Sequence, residues 1–132
     1  MKSNQLNSTD NPPAISASNP HTNPCLGHDA NAAAVVVRTG DGISYLLPYA
    51  QFLYAERTAN PALENAPEAP PDKMSIQFAG AEVIVLGSGL KRLEGWLQGY
   101  ELSFVMPADS RLASVYGALI TAVTVTLTKE NV

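Results

Sequence analysis

Short runs in which apolar and polar residues alternate constrain this chain more than any other feature of its sequence. Met74, Ile76 and Phe78 alternate with polar neighbours, and the same pattern recurs through residues 123–128. Alternation with a period of two is typical of a β-strand that has one buried and one solvated face. Segments that contain glycine or proline separate the runs, so the sequence predicts many short strands joined by turns.

The order of these runs predicts a fold class. An Asp-Gly pair at positions 41 and 42 is typical of a tight hairpin. Leu90, Leu93 and Leu97 lie on one helical stripe, which predicts a helix from about Leu90 to Gln98. The predicted strands cover residues 33–38, 43–47, 49–57, 73–78, 82–86, 100–105 and 120–128. We therefore expect an α+β fold with a mainly antiparallel sheet of about six or seven strands. One main helix covers this sheet, and a second short helix is predicted from Asp109 or Ser110 to Tyr116.

The first 31 residues differ from the rest of the chain in composition. Residues 1–31 are built mainly from Asn, Ser, Thr, Pro, His and Asp, and they are predicted to form a disordered polar tail. Residues 32–132 are predicted to form a single α+β domain, because about 100 residues suffice for one modest core. Within it, residues 58–72 are rich in proline and acidic residues and predict a long solvated loop, with a docking strip as the alternative.

Cysteine usage, charge and hydropathy bear on location and partners. Cys25 is the only cysteine, so no disulfide framework is expected and a cytoplasmic location is predicted. The formal net charge is −4, and the only adjacent basic pair is Lys91–Arg92, so no nucleic-acid partner is expected. Residues 112–128 carry no charge, but their threonines and strand periodicity favour a buried helix and strand. No membrane partner is predicted.

Histidine and cysteine occur only in the segment predicted to be a tail. His21, Cys25, His28 and Asp29 are all metal-ligand types within nine residues, but structural metal sites need a supporting turn. We interpret them as incidental residues of the tail and predict no metal and no cofactor. Without histidine or cysteine, the predicted domain lacks the residues for Ser-His-Asp or Cys-His catalysis, so we expect no catalytic residues there.

The connection between the predicted strand at 82–86 and the helix is the most suggestive ligand-binding feature. A strand that runs through Gly-x-Gly into a helix is how a dinucleotide-binding turn begins. The third glycine of that pattern is replaced by Arg92, so a full dinucleotide site is not predicted. A small molecule or anion held at Gly87, Ser88, Gly89 and Lys91 remains an alternative.

Two functional hypotheses follow. The first is a non-catalytic protein-interaction or oligomerisation module that binds a protein partner or a second copy of itself. It draws on the strand-rich architecture and on a C-terminal edge strand. If this strand is the interface, a charge introduced at Thr124 or Thr126 would change the mass of the assembly in solution. The alternative is a small-molecule or anion-binding protein, or a carboxylate-using enzyme, with its site at the Gly87–Lys91 turn. Nucleic-acid binding by a small barrel is disfavoured by the acidic charge.

Overall fold

The computed structural model of the protein describes residues 23–108 and 118–128. These residues form two four-stranded β-sheets. The described strands and α-helix are β1 (Leu26–His28), β2 (Ala34–Arg38), β3 (Ser44–Pro48), β4 (Phe52–Ala59), β5 (Asp72–Phe78), β6 (Ala81–Ser88), α1 (Lys91–Gln98), β7 (Leu102–Val105) and β8 (Leu119–Leu127), with 3-10 turns at Tyr49–Gln51 and Pro61–Glu64. The first sheet has the order β1-β7-β2-β3 and the second the order β4-β5-β6-β8. All neighbours are antiparallel except β2 and β7, which are parallel. The fold is α+β.

The division into two sheets corrects the prediction of one sheet of six or seven strands. A single helical turn, Tyr49–Gln51, separates β3 from β4 and redirects the chain from the first sheet to the second. Pro48 precedes this turn and has no backbone N–H with which to extend a ladder. Phe52 then pairs with Phe78 of β5. The second short helix predicted from Asp109 or Ser110 lies outside the described residues.

Strand β1 lies inside the segment that was predicted to be a disordered tail. Leu26 pairs with Val105 of β7, and both Cys25 and Leu26 are buried. Asn23 donates a side-chain hydrogen bond to the carbonyl oxygen of Ala118 at 2.9 Å. The folded part therefore extends upstream of the predicted boundary at Ala32. The sequence does not predict this strand, because three residues are too few to show a periodic pattern. Residues 1–22 lie outside the described residues.

The hairpin turn predicted at Asp41-Gly42 is confirmed, and a second glycine turn lies at Gly80. Gly42 has a φ of 89°, and its N–H donates to the carbonyl oxygen of Thr39 at 3.0 Å in the β2–β3 hairpin. Gly80 has a φ of 87° between β5 and β6. Both backbones lie in the left-handed region that glycine enters without steric cost. The alternation predicted for β5 is also confirmed, since Met74, Ile76 and Phe78 are all buried.

One hydrophobic core joins both sheets and the helix. Phe78 and Ile76 from the second sheet, Val35 from the first sheet and Leu93 from α1 are each at most 2% exposed. Helix α1 lies beside β4 and β7, so it flanks one strand of each sheet. No helix in the described ranges is long and apolar enough to cross a membrane.

Asn60 organises the loop between β4 and β5. Its side-chain amide donates to the carbonyl oxygen of Pro70 at 2.8 Å, and its side-chain oxygen accepts from the N–H of Ala62 at 3.2 Å. Its own backbone N–H donates to the carbonyl oxygen of Pro71 at 2.9 Å. Asn60 is only 6% exposed, so the neck of the proline-rich loop is closed by a buried, hydrogen-bonded side chain.

Candidate functional site

The Gly87–Lys91 turn is the ligand site predicted from the sequence. The packing of two strands explains why its first residue is glycine. Gly87 lies in β6 next to Ile120 of β8, at a register shift between Leu86 and Gly87. A Cβ atom at Gly87 would collide with the backbone carbonyl oxygen of Leu119. Close approach of two backbones therefore requires glycine here, without any ligand.

A carboxylate already lies at the start of α1. Gly89 has a φ of 66° and turns the chain so that the N–H of Leu90 donates to Oδ2 of Asp72 at 3.2 Å. Negative charge is favourable at a helix N terminus, and Asp72 supplies it from β5. An anion near Ser88 or Lys91 would meet the charge of Asp72, so the geometry weakens the predicted anion site.

Two residues assigned to the tail by sequence belong to the described fold. His28 on β1 is exposed, its Nε2 lies 2.7 Å from Oε1 of Glu101, and its ring centroid lies 4.9 Å from that of Trp96. The fold therefore contains a histidine beside a carboxylate, which corrects the expectation that the domain lacks histidine. Cys25 is fully buried, and its Sγ lies 3.4 Å from the N–H of Ile120.

Of the four residues of metal-ligand type near the N terminus, Cys25 and His28 differ in their surroundings. Burial raises the pKa of the Cys25 thiol, whereas His28 is exposed. Across residues 23–108 and 118–128, no three His, Cys, Asp or Glu side chains are grouped so that they could hold a metal ion. His21 lies outside the described residues.

A cleft between β4 and α1 is too small for a typical ligand site. It measures about 250 Å³ and is lined mainly by Phe52, Tyr54, Ala55 and Leu97. Pockets for small molecules usually measure about 300–1,000 Å³ and combine apolar walls with convergent polar groups. Its lining includes Glu94, whose carboxylate is already paired with Arg57. It does not identify a ligand.

The outer face of the first sheet exposes a row of apolar side chains. Val36 on β2 pairs with Leu46 on β3 and with Phe104 on β7, so the three side chains lie side by side. Leu46 is 68% exposed, the largest fraction among the exposed large hydrophobic side chains of the described part of the chain. Val36, Phe104 and Met106 line a depression of about 360 Å³, whose rim also includes Arg38, Ser44 and Ser103. We call Val36, Leu46, Phe104 and Met106 the Leu46 face.

Strand β3 also presents an open edge. The N–H of Thr39 donates to the carbonyl oxygen of Ile43, and the N–H of Tyr49 donates to that of Ala33, both at 2.9 Å. Because the two sides of an antiparallel strand alternate, Ser44 and Leu46 direct their backbone N–H and C=O groups away from β2. No other strand of the described residues pairs with that side. The strand carries no charged residue, although exposed edges are commonly protected by charges.

Other sheet edges are less available. Helix α1 flanks β4, where Nε of Arg57 lies 2.7 Å from Oε1 of Glu94. The β2–β3 turn lies against β8 across a cleft of about 260 Å³. Strand β8 is also an edge strand, but midway along it the exposed side chains are Thr124 and Thr126, which lie beside Ile84 and Glu82. The edge strand with an exposed leucine at its centre is β3.

The sequence contained one signal for the Leu46 face. Leu46 and Leu47 are adjacent within a strand, and adjacent residues of a strand point to opposite faces. One of the two must therefore lie on the outer face unless both faces are covered. The structure buries Leu47 and exposes Leu46. Val36 repeats the pattern between buried Val35 and Val37.

Comparison of the chain with protein-family models, with curated proteins and with solved structures finds no match. Function must therefore be inferred from the geometry of the described residues.

Proposed function

We propose that this protein is a non-catalytic self-association module whose contact surface is the Leu46 face together with the open edge of β3. The observation that carries this proposal is the 68% exposure of Leu46 on an uncharged strand edge that no other strand of the described residues covers. Burying a leucine side chain fully is worth about 1.5–3 kcal/mol, so a contact that covers Leu46 and its apolar neighbours would gain free energy. Apolar patches of this kind commonly mark protein contacts.

A second copy of the chain is the partner that this surface fits. The open side of β3 offers both donors and acceptors at Ser44 and Leu46, which is what a strand of the same sequence also offers. Pairing two copies of an uncharged strand places no like charges opposite each other. Most homo-oligomers use such a self-complementary patch about a twofold axis.

The alternative is a small-molecule or anion-binding protein, or a carboxylate-using enzyme, with its site at Gly87, Ser88, Gly89 and Lys91. It is the weaker proposal for two reasons. Gly87 is already required by the close approach of Leu119, and Asp72 already accepts the hydrogen bond of Leu90. Its test is a titration with inorganic phosphate, in which the amide resonances of residues 88–91 would shift saturably if the turn binds anions.

Self-association is tested by measuring mass against concentration with light scattering or sedimentation. We expect the wild-type protein to pass from monomer to dimer in the micromolar range, because small contacts that bury less than about 1,200 Å² are typical of weak association. Leu46→Lys should remain monomeric, because the substitution places a charge in the contact.

A matched control is available on the second sheet. Leu53 on β4 is 60% exposed, so Leu53→Lys introduces the same charge at a similarly exposed leucine elsewhere. We expect Leu53→Lys to dimerise as the wild-type protein does, with circular dichroism showing that both variants are folded. A monomeric wild-type protein at all concentrations, or unchanged dimerisation of Leu46→Lys, would contradict the proposal.

A further inference from the structure

We infer, on the basis of the proposed self-association, that two copies pair antiparallel through β3 about a twofold axis that passes between their Leu46 residues. The result is one continuous eight-stranded sheet made from the first sheets of the two copies. The inference follows from which backbone groups face the open edge, from the apolar row on the outer face and from the position of Pro48.

The backbone groups of β3 can be matched in this register. Leu46 directs both its N–H and its C=O to the edge, so Leu46 and Leu46 of the second copy exchange two hydrogen bonds. Ser44 then lies opposite Pro48 of the second copy, and the Ser44 N–H donates to the Pro48 carbonyl oxygen on both sides of the axis. Pro48 has no N–H to donate. In this register the two Pro48 residues lie at the two ends of the contact, where one hydrogen bond fewer forms on each side.

The apolar row decides between this register and the next one. With the axis at Leu46, the row on the outer face reads Phe104, Val36 and Leu46, followed by the same three residues of the second copy in reverse order. With the axis at Tyr45, Leu46 would lie beside Ser44 of the second copy and the row would be interrupted. The two registers make similar numbers of hydrogen bonds, so burial of Leu46 against Leu46 favours the first.

Charge also permits the twofold arrangement. Arg38 is the charged residue of the outer face of β2, where it pairs with Ser44. In the inferred register, Arg38 lies in the row that continues through Pro48 and Ala34 of the second copy. The two Arg38 side chains therefore lie on opposite sides of the apolar row, and no like charges oppose each other across the axis.

Cysteine cross-linking tests the register. In the inferred pairing the Cα atoms of the two residues at position 46 are about 5.5 Å apart, which is within the range for a disulfide of about 4.4–6.8 Å. Under mild oxidation we expect Leu46→Cys to form a covalent dimer. A mixture of Ser44→Cys and Pro48→Cys should form the mixed dimer, while Ser44→Cys alone should stay monomeric on a non-reducing gel. Wild-type protein controls for Cys25.

The outcomes separate this inference from the proposed function. A wild-type dimer in which Tyr45→Cys cross-links and Leu46→Cys does not would overturn the register and leave self-association intact. A wild-type dimer in which neither Leu46→Cys nor the Ser44→Cys and Pro48→Cys mixture cross-links would place the contact elsewhere and overturn the pairing through β3. A wild-type protein that stays monomeric by light scattering would overturn both.

Discussion

The hydroxyl group of Tyr49 donates a hydrogen bond to the backbone carbonyl oxygen of Leu102 at 2.7 Å, and both residues are buried. Tyr49 lies in the turn that carries the chain from the first sheet to the second, whereas Leu102 begins β7. The ring of Tyr49 also lies 5.0 Å from that of Tyr100, which has a φ of 57°. This contact fixes the turn that separates the two sheets.

Replacing this tyrosine should destabilise the fold. Tyr49→Phe keeps the ring in the core but removes the donor, so the buried carbonyl group of Leu102 loses a partner. We expect the free energy of unfolding to fall by about 1–2 kcal/mol. Denaturation with urea, followed by circular dichroism, measures the change, and an unchanged midpoint would show that the hydrogen bond contributes nothing.

The same residue predicts a loss of stability at high pH. Burial raises the pKa of Tyr49 from the ordinary value of 10 to about 12, and the nearby charge of Glu101 acts in the same direction. Because the folded state holds this proton more tightly than the unfolded chain, its contribution is complete below pH 10 and is lost as the pH rises through about 12. The difference in stability between the wild-type protein and Tyr49→Phe should therefore shrink across this interval. A constant difference would contradict the shift.

Replacing Gly95 with alanine should stabilise helix α1. Gly95 is exposed in the middle of α1, and nothing lies within 4 Å of the position that a Cβ atom would take. Because glycine loses more backbone entropy than alanine in a helix, Gly95→Ala should raise the free energy of unfolding by about 0.5–1 kcal/mol. Thermal denaturation measures this gain.

Gly87→Ala is the contrasting substitution. Its Cβ atom would collide with the backbone carbonyl group of Leu119, which cannot move without separating β6 from β8. We expect a marked loss of stability in the same thermal assay. If Gly87→Ala were as stable as the wild-type protein, the close approach of these two strands would be wrong.

Asp72 should contribute to the stability of α1 through its hydrogen bond with Leu90. Asp72→Ala removes both the acceptor and the negative charge at the helix N terminus, and we expect a loss of about 1 kcal/mol. Asp72→Asn keeps an acceptor and should lose less. Chemical denaturation measures the free energy of unfolding of both variants. Equal losses would mean that Asp72 stabilises the helix through its charge alone.

The thiol of Cys25 should be unreactive in the folded protein. Burial raises its pKa, so little thiolate forms, and the residue is fully buried beside Ile120. Labelling with iodoacetamide, followed by mass spectrometry, should be slow in buffer and rapid in denaturant. Rapid labelling of the native protein would place Cys25 outside the core.

Local patterns were sufficient to predict most individual elements. The alternation of Met74, Ile76 and Phe78 predicts β5, and the leucine stripe predicts α1 within one residue at its start. Asp41-Gly42 predicts the β2–β3 turn. Each of these signals depends on residues close together in the chain, where side-chain period and backbone preference act directly.

Long-range pairing was beyond such patterns. β1 has only three residues and pairs with β7, which is far away in the sequence, so no local pattern predicts it. The parallel pairing of Val36 with Phe104 and the change of sheet at Tyr49–Gln51 likewise depend on tertiary packing. The exposure of Leu46 follows from these pairings, because they decide which strand forms the edge.

The position of β7 between β1 and β2 has a consequence for synthesis on the ribosome. When β1 and β2 emerge from the exit tunnel, the strand that separates them has not yet been translated. The β2–β3 hairpin and the consecutive strands β4, β5 and β6 can pair as they appear, because each needs only its neighbour in the chain. The first sheet closes only after Val105 has emerged, so a nascent chain that stalls earlier would leave Leu26 and Val35 without the strand that pairs beside them.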